Sequence, residues 1–346
     1  MASSRGVTTR RDGGVREEQD VGKSKSKQAK LIVQVPLEAR YLERLQQEFP
    51  DADFPLCITP EALQAEIGDA DALIGGAALT PDLLKQAPKL RWVAATSAGV
   101  ENLPIEALAE RDILLTNFSG IAAPNIAEHV LAMMLAFARA LRPLFHQQDQ
   151  HEWPKDDATL PTFELGGQTL GIIGMGEIGQ QLARKAHGIG MRVLAIQRHP
   201  DHKPSYVARL LASDDLPELL AESDHVCLCL PLTSATKYTI DRDELDQMKR
   251  TAYLYNIGRG ALVNQEALIS VLRGGTLAGA GLDVTTPEPL PADSPLWEMP
   301  NVLVTGHTAA STPHYWERGI DLLVENVRRF LAGDDLQDVV DIKAGY

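Results

Sequence analysis

From Lys30 onward, short apolar runs alternate with longer stretches whose apolar residues recur at helical spacing. Leu31 to Val35, Ala72 to Ile74, Leu90 to Ala95 and Ile113 to Leu115 are near-continuous apolar runs, the pattern of strands covered on both faces. They predict a first α/β unit. Pro124 to Ala140 follows as one long helix that starts with Pro and carries Val130, Leu131, Met133, Met134, Leu135 and Phe137 almost all round, so it is expected to be buried between two domains. Residues 143–166 are polar and irregular around His151, Glu152, Trp153 and Pro154, and read as an arm or a subunit contact. A second α/β series then places strands at Thr169 to Ile173, Arg192 to Ile196, His225 to Leu230, Ala252 to Asn256, Gly279 to Val284 and Asn301 to Thr305. Strands separated by helical crossovers predict a doubly wound parallel sheet. After His307 one amphipathic helix, about Tyr315 to Leu331, presents Leu322, Leu323, Val327 and Phe330 on a single face.

Length and composition narrow the classes. A chain of 346 residues exceeds what one core usually serves, so two domains are expected, and 44% hydrophobic with 23% charged residues is a globular balance. The longest apolar run, Val130 to Ala138, is nine residues, too short to cross a bilayer. The net charge of −14 repels phosphate backbones and anionic lipid, which excludes nucleic acid and membrane as main partners. That charge is uneven. Residues 1–30 hold eight basic side chains against four acidic ones, a +4 tail on a −18 body, and with no aromatic, Leu or Ile the tail is expected to be disordered. It has neither a secretory apolar run nor, with Asp12, Glu17, Glu18 and Asp20 in it, the acid-poor character of a transit peptide. Cys57, Cys227 and Cys229 make no disulfide framework and no metal-ligand pattern, so reduced thiols, no metal and a cytoplasmic location are expected.

The strongest local signal is Gly174-Met-Gly176-Glu177-Ile178-Gly179, placed between an apolar strand and a helix. Gly174 permits the turn, Gly176 lets the backbone approach a pyrophosphate, and Gly179 lets the helix pack on the strand, while the helix amino terminus turns its N–H groups to the phosphates. This predicts a dinucleotide site. About twenty residues on, an NAD enzyme carries Asp or Glu for the ribose 2′-hydroxyl, but here Gln197-Arg198-His199 stands at the strand end. Without the carboxylate there is no repulsion of a 2′-phosphate, and Arg198 can pair with it, so NADP(H) is the expected cofactor, with NAD(H) still usable.

Three further stretches end strands of the second series: Asn256-Ile257-Gly258-Arg259-Gly260, Leu282-Asp283-Val-Thr-Thr-Pro-Glu288, and Val304-Thr-Gly306-His307. Ligands of open α/β sheets bind at carboxyl ends of strands. An Arg to clamp a carboxylate, a His to supply a proton and a carboxylate to orient the imidazole are what reduction of a 2-oxo acid needs.

With these motifs, and those around Ala95-Thr-Ser97-Ala98-Gly99-Val100-Glu, Asn125-Ile-Ala-Glu-His129 and Tyr315-Trp-Glu-Arg, the chain resembles the D-isomer-specific 2-hydroxyacid dehydrogenase family, in its glyoxylate and hydroxypyruvate reductase branch, over nearly everything after the tail. The resemblance implies that Arg259 binds the substrate carboxylate, Glu288 partners the catalytic His, His307 is the acid/base, and Ser97 to Val100 meet the carboxylate with backbone N–H groups. It places Asp283 near the nicotinamide carboxamide, and Leu230, Pro231 and Thr236 along the adenosine side. The cofactor contacts it implies are therefore Gly174, Gly176, Glu177, Ile178, Gly179, Gln197, Arg198, Leu230, Pro231, Thr236, Ile257, Gly258, Arg259, Asp283 and His307. Gly306 departs from the family, where many members carry Pro. The implied fold is two Rossmann-like doubly wound parallel-sheet domains with a cleft between them. The substrate domain would be discontinuous, residues 31–122 plus 313–346, the cofactor domain would be 123–312, and the pair would assemble as a homodimer through the segment around Trp153.

The rival classes are weaker. L-lactate and L-malate dehydrogenases put the glycine motif near the amino terminus, a phosphoglycerate dehydrogenase with a regulatory extension would run well past His307, and formate dehydrogenases pair the His with Gln instead of Glu288. A non-catalytic, dinucleotide-sensing binding protein of the same fold keeps the triad but carries long interaction tails. The side chain of the substrate is not specified, although Gly75, Gly76, Trp297 and Trp316 are candidate pocket residues, with packing the expected role for both tryptophans.

Overall fold

The computed structural model describes residues 28–153, 160–200 and 202–341. The disordered tail expected at residues 1–30 lies outside these, except at its end. Lys30 lies in a strand, and its ammonium is held by Glu66 at 2.5 Å and Asp69 at 2.7 Å.

The first unit is built on β1 (Ala29–Val33), β2 (Ala52–Asp53), β3 (Ala72–Ile74), β4 (Trp92–Ala94) and β5 (Leu114–Thr116), in the order β2-β1-β3-β4-β5 with every pair parallel. Parallel neighbours need crossovers, supplied by α1 (Ala39–Glu48), α2 (Pro60–Glu66), α3 (Pro81–Lys85) and α4 (Ile105–Ala109). Two of these begin alike. Thr59 and Thr80 accept from the N–H groups of Ala62 and Leu83, and the following Pro60 and Pro81 need no hydrogen bond of their own at that position.

The connecting segment holds α5 (Ala123–Ala138) and α6 (Leu141–Asp149). The expected irregular arm is thus helical over 141–149. That helix buries no residue, which is why no apolar stripe announced it. Nor is α5 buried all round. Val130, Met133 and Met134 are covered, but Leu135 remains 45% exposed, and the helix packs on the second sheet unit beside the helix that follows the glycine turn.

The second unit comprises β6 (Thr169–Ile173), β7 (Arg192–Ile196), β8 (Arg209–Leu211), β9 (His225–Leu228), β10 (Tyr253–Asn256), β11 (Gly279–Leu282) and β12 (Val302–Val304), with α7 (Glu177–Gly188), α8 (Leu216–Glu222), α9 (Arg242–Gln247) and α10 (Gln265–Arg273) as its main crossovers. All pairs are parallel and the order is β8-β7-β6-β9-β10-β11-β12, a doubly wound sheet whose direction of winding reverses between β6 and β9. The sequence pattern had offered neither β2 nor β8, two edge strands of two and three residues.

Each sheet is buried on both faces, and α11 (Tyr315–Ala332) packs on the first. Its Ile320, Leu323, Val324, Val327 and Phe330 share one core with Leu31, Val33, Trp92 and Phe118 of the first unit. Trp316 is part of this packing, in an edge contact with Phe118, and the strand-like end of the chain pairs Val339 with Thr116. Among the described residues no helix is long and apolar enough to cross a membrane, and no group of three His, Cys, Asp or Glu could hold a metal ion.

Candidate active site

The glycine turn follows β6 at the reversal point. Gly174 has φ +105°, and a Cβ there would stand 2.7 Å from the Cys229 carbonyl oxygen, so the turn and the end of β9 can touch only through a glycine. At Gly179 a Cβ would stand 2.1 Å from the Gly174 carbonyl, which seats α7 tightly against the turn. Gly176 is different. Nothing lies within 4 Å of its Cβ position, and as the residue preceding α7 it offers no side chain to cap the helix. The first N–H groups of a twelve-residue helix therefore face open space across a bare backbone, a cradle that suits a pyrophosphate. Leu230 and Gly258 close the floor, for a Gly258 Cβ would meet the Leu230 carbonyl at 2.7 Å, and Ile257 is buried beside them. Glu177 and Ile178 open α7, with the Glu177 side chain resting on Gly120 of the connecting loop. Gln197 is tied to Leu211 of β8 by its backbone N–H, and Arg198 follows it, exposed at the end of β7. Thr236 does not point outward, since its hydroxyl donates to the Pro231 carbonyl at 2.7 Å and braces its own turn.

At the end of β10, buried Asn256 donates to the Arg259 carbonyl at 2.9 Å and accepts from the Gly258 N–H at 3.2 Å, fixing the turn that presents Arg259. The guanidinium reaches across to the first unit. Its Nε and Nη2 both lie 2.9 Å from Oε1 of Glu101, and Nη1 donates to the Gly258 carbonyl at 2.8 Å. Burial raises the Glu101 carboxyl, but the Arg259 hydrogen bond, a donation from its own backbone N–H and the charges of Arg259 and His307 outweigh it and hold the group below the usual carboxylate range. The guanidinium lies directly over Gly99, with Nη2 2.2 Å from where a Cβ would be.

The loop beneath is turned by its carbonyls. Tyr315 donates its hydroxyl to the Thr96 carbonyl, Phe118 its N–H to Ser97, Asn117 its amide to Ala98, Ser97 its hydroxyl to Gly99, and Leu103 its N–H to Val100. With those carbonyls engaged, none of the backbone N–H groups of Ser97, Ala98, Gly99 and Val100 donates to another group among the described residues. Consecutive amides left this way form an anion-binding concavity.

His307 stands at the end of β12 with its Nδ1 2.8 Å from Oε2 of Glu288, whose Oε1 accepts from the Thr285 N–H at 3.0 Å. Gly306 and His307 have φ +62° and +60°, so two successive residues are left-handed. Proline, locked near −65°, cannot occupy position 306 in this conformation. A non-glycine residue at positive φ costs about 1 kcal/mol and needs restraint. Asp283 supplies it. Its carboxylate, buried at 3% exposure, accepts from the Thr305 hydroxyl at 2.6 Å, the Thr308 N–H at 2.9 Å and the Ala309 N–H at 3.1 Å, while its carbonyl accepts from the His307 N–H at 2.5 Å. His129 of α5 reaches the same Thr305 hydroxyl at 2.9 Å, and Asn125 donates to the Ala309 carbonyl at 2.8 Å.

A model of the D-isomer-specific 2-hydroxyacid dehydrogenase NAD-binding domain matches residues 131–309. A glyoxylate/hydroxypyruvate reductase B of Pectobacterium carotovorum is 36% identical over 297 residues, 85% of this chain and 89% of the relative. The chain belongs to the D-isomer-specific 2-hydroxyacid dehydrogenase family. It is accordingly an oxidoreductase of the NAD(P)-dependent 2-hydroxyacid class. Solved structures agree. A family member from Aeromonas salmonicida superposes with a TM-score of 0.81 at 33% identity, covering 91% of this chain and 99% of that one. An NADPH-dependent glyoxylate/hydroxypyruvate reductase from Sinorhizobium meliloti, solved with NADP and sulfate, gives 0.78 at 28% identity, covering 92% and 100%.

In this 2-hydroxyacid dehydrogenase, then, Arg259 lies over the loop from Ser97 to Val100, the charge of His307 is felt by Glu101 beside it, Glu288 holds His307, and the glycine turn follows a strand at the same carboxyl end of the second sheet. Gly75 and Gly76 end β3 at φ +116° and +115°, with the Gly76 N–H held by Gln34 at 2.8 Å. Trp297 stands elsewhere, half exposed beyond β12, where its indole donates to the Pro291 carbonyl at 2.9 Å. Two polar groups escaped sequence reasoning, Glu101 on Arg259 and Asn256 under it, and Asp283, expected near the nicotinamide carboxamide, has its carboxylate folded into the His307 loop. Of the two missed groups only Asn256 had a local signal, the Asn two residues before Gly258 in a turn.

Proposed function

We propose that this chain reduces small 2-oxo acids of the glyoxylate and hydroxypyruvate type to D-2-hydroxy acids, with NADPH preferred over NADH. The observation that carries the reading is the His307–Glu288 pair at 2.8 Å facing the same cleft as Arg259 and the open amides of the Ser97–Val100 loop. In this reading the loop amides and Arg259 orient the substrate carboxylate, and the guanidinium polarises the neighbouring carbonyl. Since Nδ1 of His307 is engaged by Glu288, Nε2 is the nitrogen that hands a proton to the carbonyl oxygen. When bound, the nicotinamide supplies the hydride to the carbonyl carbon. Gly174, Gly176, Gly179 and the start of α7 would hold its pyrophosphate. Gln197 and Arg198 would meet a 2′-phosphate, a preference supported by the missing carboxylate at the end of β7. Asp283 acts in this reading through the loop it braces, beside any contact with the carboxamide.

Residues 31–122 with 313–346 would form the substrate unit and 123–312 the cofactor unit, closing on the cleft to exclude water. The exposed Phe145 and Trp153, at 58% and 89%, support a homodimer built on that segment, and the free thiols of Cys57, Cys227 and Cys229 suit an enzyme of the cytoplasm. The test is a reductase assay with glyoxylate, hydroxypyruvate, pyruvate and bulkier 2-oxo acids, each with NADPH and NADH, on wild type and His307→Ala. Turnover of the small acids, lost by orders of magnitude in the variant while NADPH still binds, is expected. No turnover with any acid would favour a dinucleotide-sensing binding protein.

A further inference from the structure

Glu101 meets the donor set that the proposed reading reserves for a substrate. A guanidinium recognises a carboxylate best through the paired N–H groups of one edge. In this cleft the Nε/Nη2 edge of Arg259 is spent on Glu101, both nitrogens lying 2.9 Å from its Oε1, and Nη1 is engaged with the Gly258 carbonyl. The other carboxylate oxygen, Oε2, lies 2.6 Å from the Cβ position of Gly99, over the loop whose amides have no protein acceptor among the described residues. The backbone N–H of Glu101 itself donates to this carboxylate. A guanidinium edge together with amides of the 97–101 loop is what would bind the carboxylate of a 2-oxo acid.

We propose that Glu101 is an internal occupant of the carboxylate subsite, displaced by the incoming 2-oxo acid, and that it sets how tightly a carboxylate must bind to be accepted. The inference rests on the reading that Arg259 and the loop take the substrate carboxylate. Displacement needs no opening of the core, because the Glu101 and Arg259 side chains are 47% and 31% exposed and the released carboxylate can return to water. Competition of this kind penalises weak anions most: a bare inorganic anion must win Arg259 from Glu101 with nothing else to offer, whereas a 2-oxo acid also brings its carbonyl oxygen to the cleft. Glu101 is thereby a specificity residue that leaves hydride and proton transfer to other groups.

The alternative is that Glu101 permanently clamps Arg259 in place, and the two roles predict opposite signs. Oxamate, a carboxylate analogue of the small 2-oxo acids, is titrated calorimetrically into the NADPH-loaded enzyme for wild type, Glu101→Gln, Glu101→Ala and Arg259→Ala. NADPH affinity and melting temperature are followed in each as a check on the fold. Removing the competitor is expected to tighten oxamate about two- to five-fold in both Glu101 variants, the range for a half-exposed ion pair, and to lower KM for the turned-over acid in step. Damage to the site cannot produce a gain in affinity. Unchanged or weaker oxamate binding in the Glu101 variants, with binding lost in Arg259→Ala, overturns the proposal while sparing the reading of the site. Oxamate binding that survives Arg259→Ala overturns that reading and the proposal with it.

Discussion

Replacing Gly99 with Ala tests whether the position of the Arg259 guanidinium governs the reaction. The added methyl would stand 2.2 Å from Nη2 of Arg259 and 2.6 Å from Oε2 of Glu101, whereas ordinary contact begins near 3.4 Å. The guanidinium must therefore retreat by at least about 1 Å. Both clashing atoms are ends of flexible side chains, and Gly99 is not in the left-handed region, so the backbone tolerates Ala and stability should hardly change. Function should not be spared. A misplacement of about 1 Å in a group that orients the reacting carbonyl costs on the order of 100-fold. The expected result is a fall of kcat/KM for glyoxylate or hydroxypyruvate by roughly two orders of magnitude, at unchanged melting temperature and unchanged NADPH affinity. Steady-state kinetics at saturating NADPH, with nucleotide binding followed by fluorescence, provide the measurement. A Gly99→Ala enzyme within threefold of wild type would refute the placement of substrate between this loop and Arg259.

Three further outcomes follow from the geometry. Asp283→Ala strands the buried Ala309 N–H and the part-buried donors of Thr308 and Thr305 and loosens the loop around a left-handed His307, so it should cost about 2–4 kcal/mol of stability in urea unfolding and lower kcat more than it weakens NADPH binding; an unaltered kcat would show that the loop holds itself. His225 is buried between the Tyr255 hydroxyl at 3.1 Å and the Gln168 side chain at 2.6 Å, and burial, against the pull of Asp224, lowers its pKa from 6.5 to about 4. The unfolded chain then takes up a proton that the folded one refuses, so stability should be independent of this group above pH 6.5 and decline by about 3 kcal/mol on acidification to pH 4, a slope that His225→Gln should flatten in urea midpoints measured across that window. Arg198→Ala should lower the ratio of kcat/KM for NADPH over NADH by about tenfold, the loss of one charge-assisted pair; an unmoved ratio would remove Arg198 from the nucleotide site.

What the amino-acid pattern revealed and what it hid divide along the reach of each interaction. Gly174, Gly176 and Gly179 were legible because turn, cradle and helix packing are consecutive backbone demands, and Arg259, Glu288 and His307 because each lies in the segment that follows an apolar strand. Edge strands β2 and β8 were hidden because they are too short for a period to develop, and α6 because a helix without a buried face has no stripe to read. Glu101 was quoted inside a motif yet had no visible partner, since the residue it binds lies 158 positions away. The same holds for Asp283, whose carboxylate is used 22 to 26 residues downstream. Pairings of that kind exist only once the crossovers have folded the strand ends onto one edge.

The place of α11 has a consequence for biosynthesis. A ribosome releases β1 to β5 early, but the face that carries Leu31, Val33, Trp92 and Phe118 is covered only in part, by Tyr41 and Leu45 of α1, until Ile320, Leu323, Val327 and Phe330 emerge. The contiguous seven-stranded unit can close in the meantime, since both its faces are covered by segments already made. The first part of the protein to be synthesised is thus the last to be completed. During that interval the part of its apolar face left to α11 is the surface on which a nascent-chain chaperone would act, and a chain cut before Tyr315 would keep that part exposed permanently.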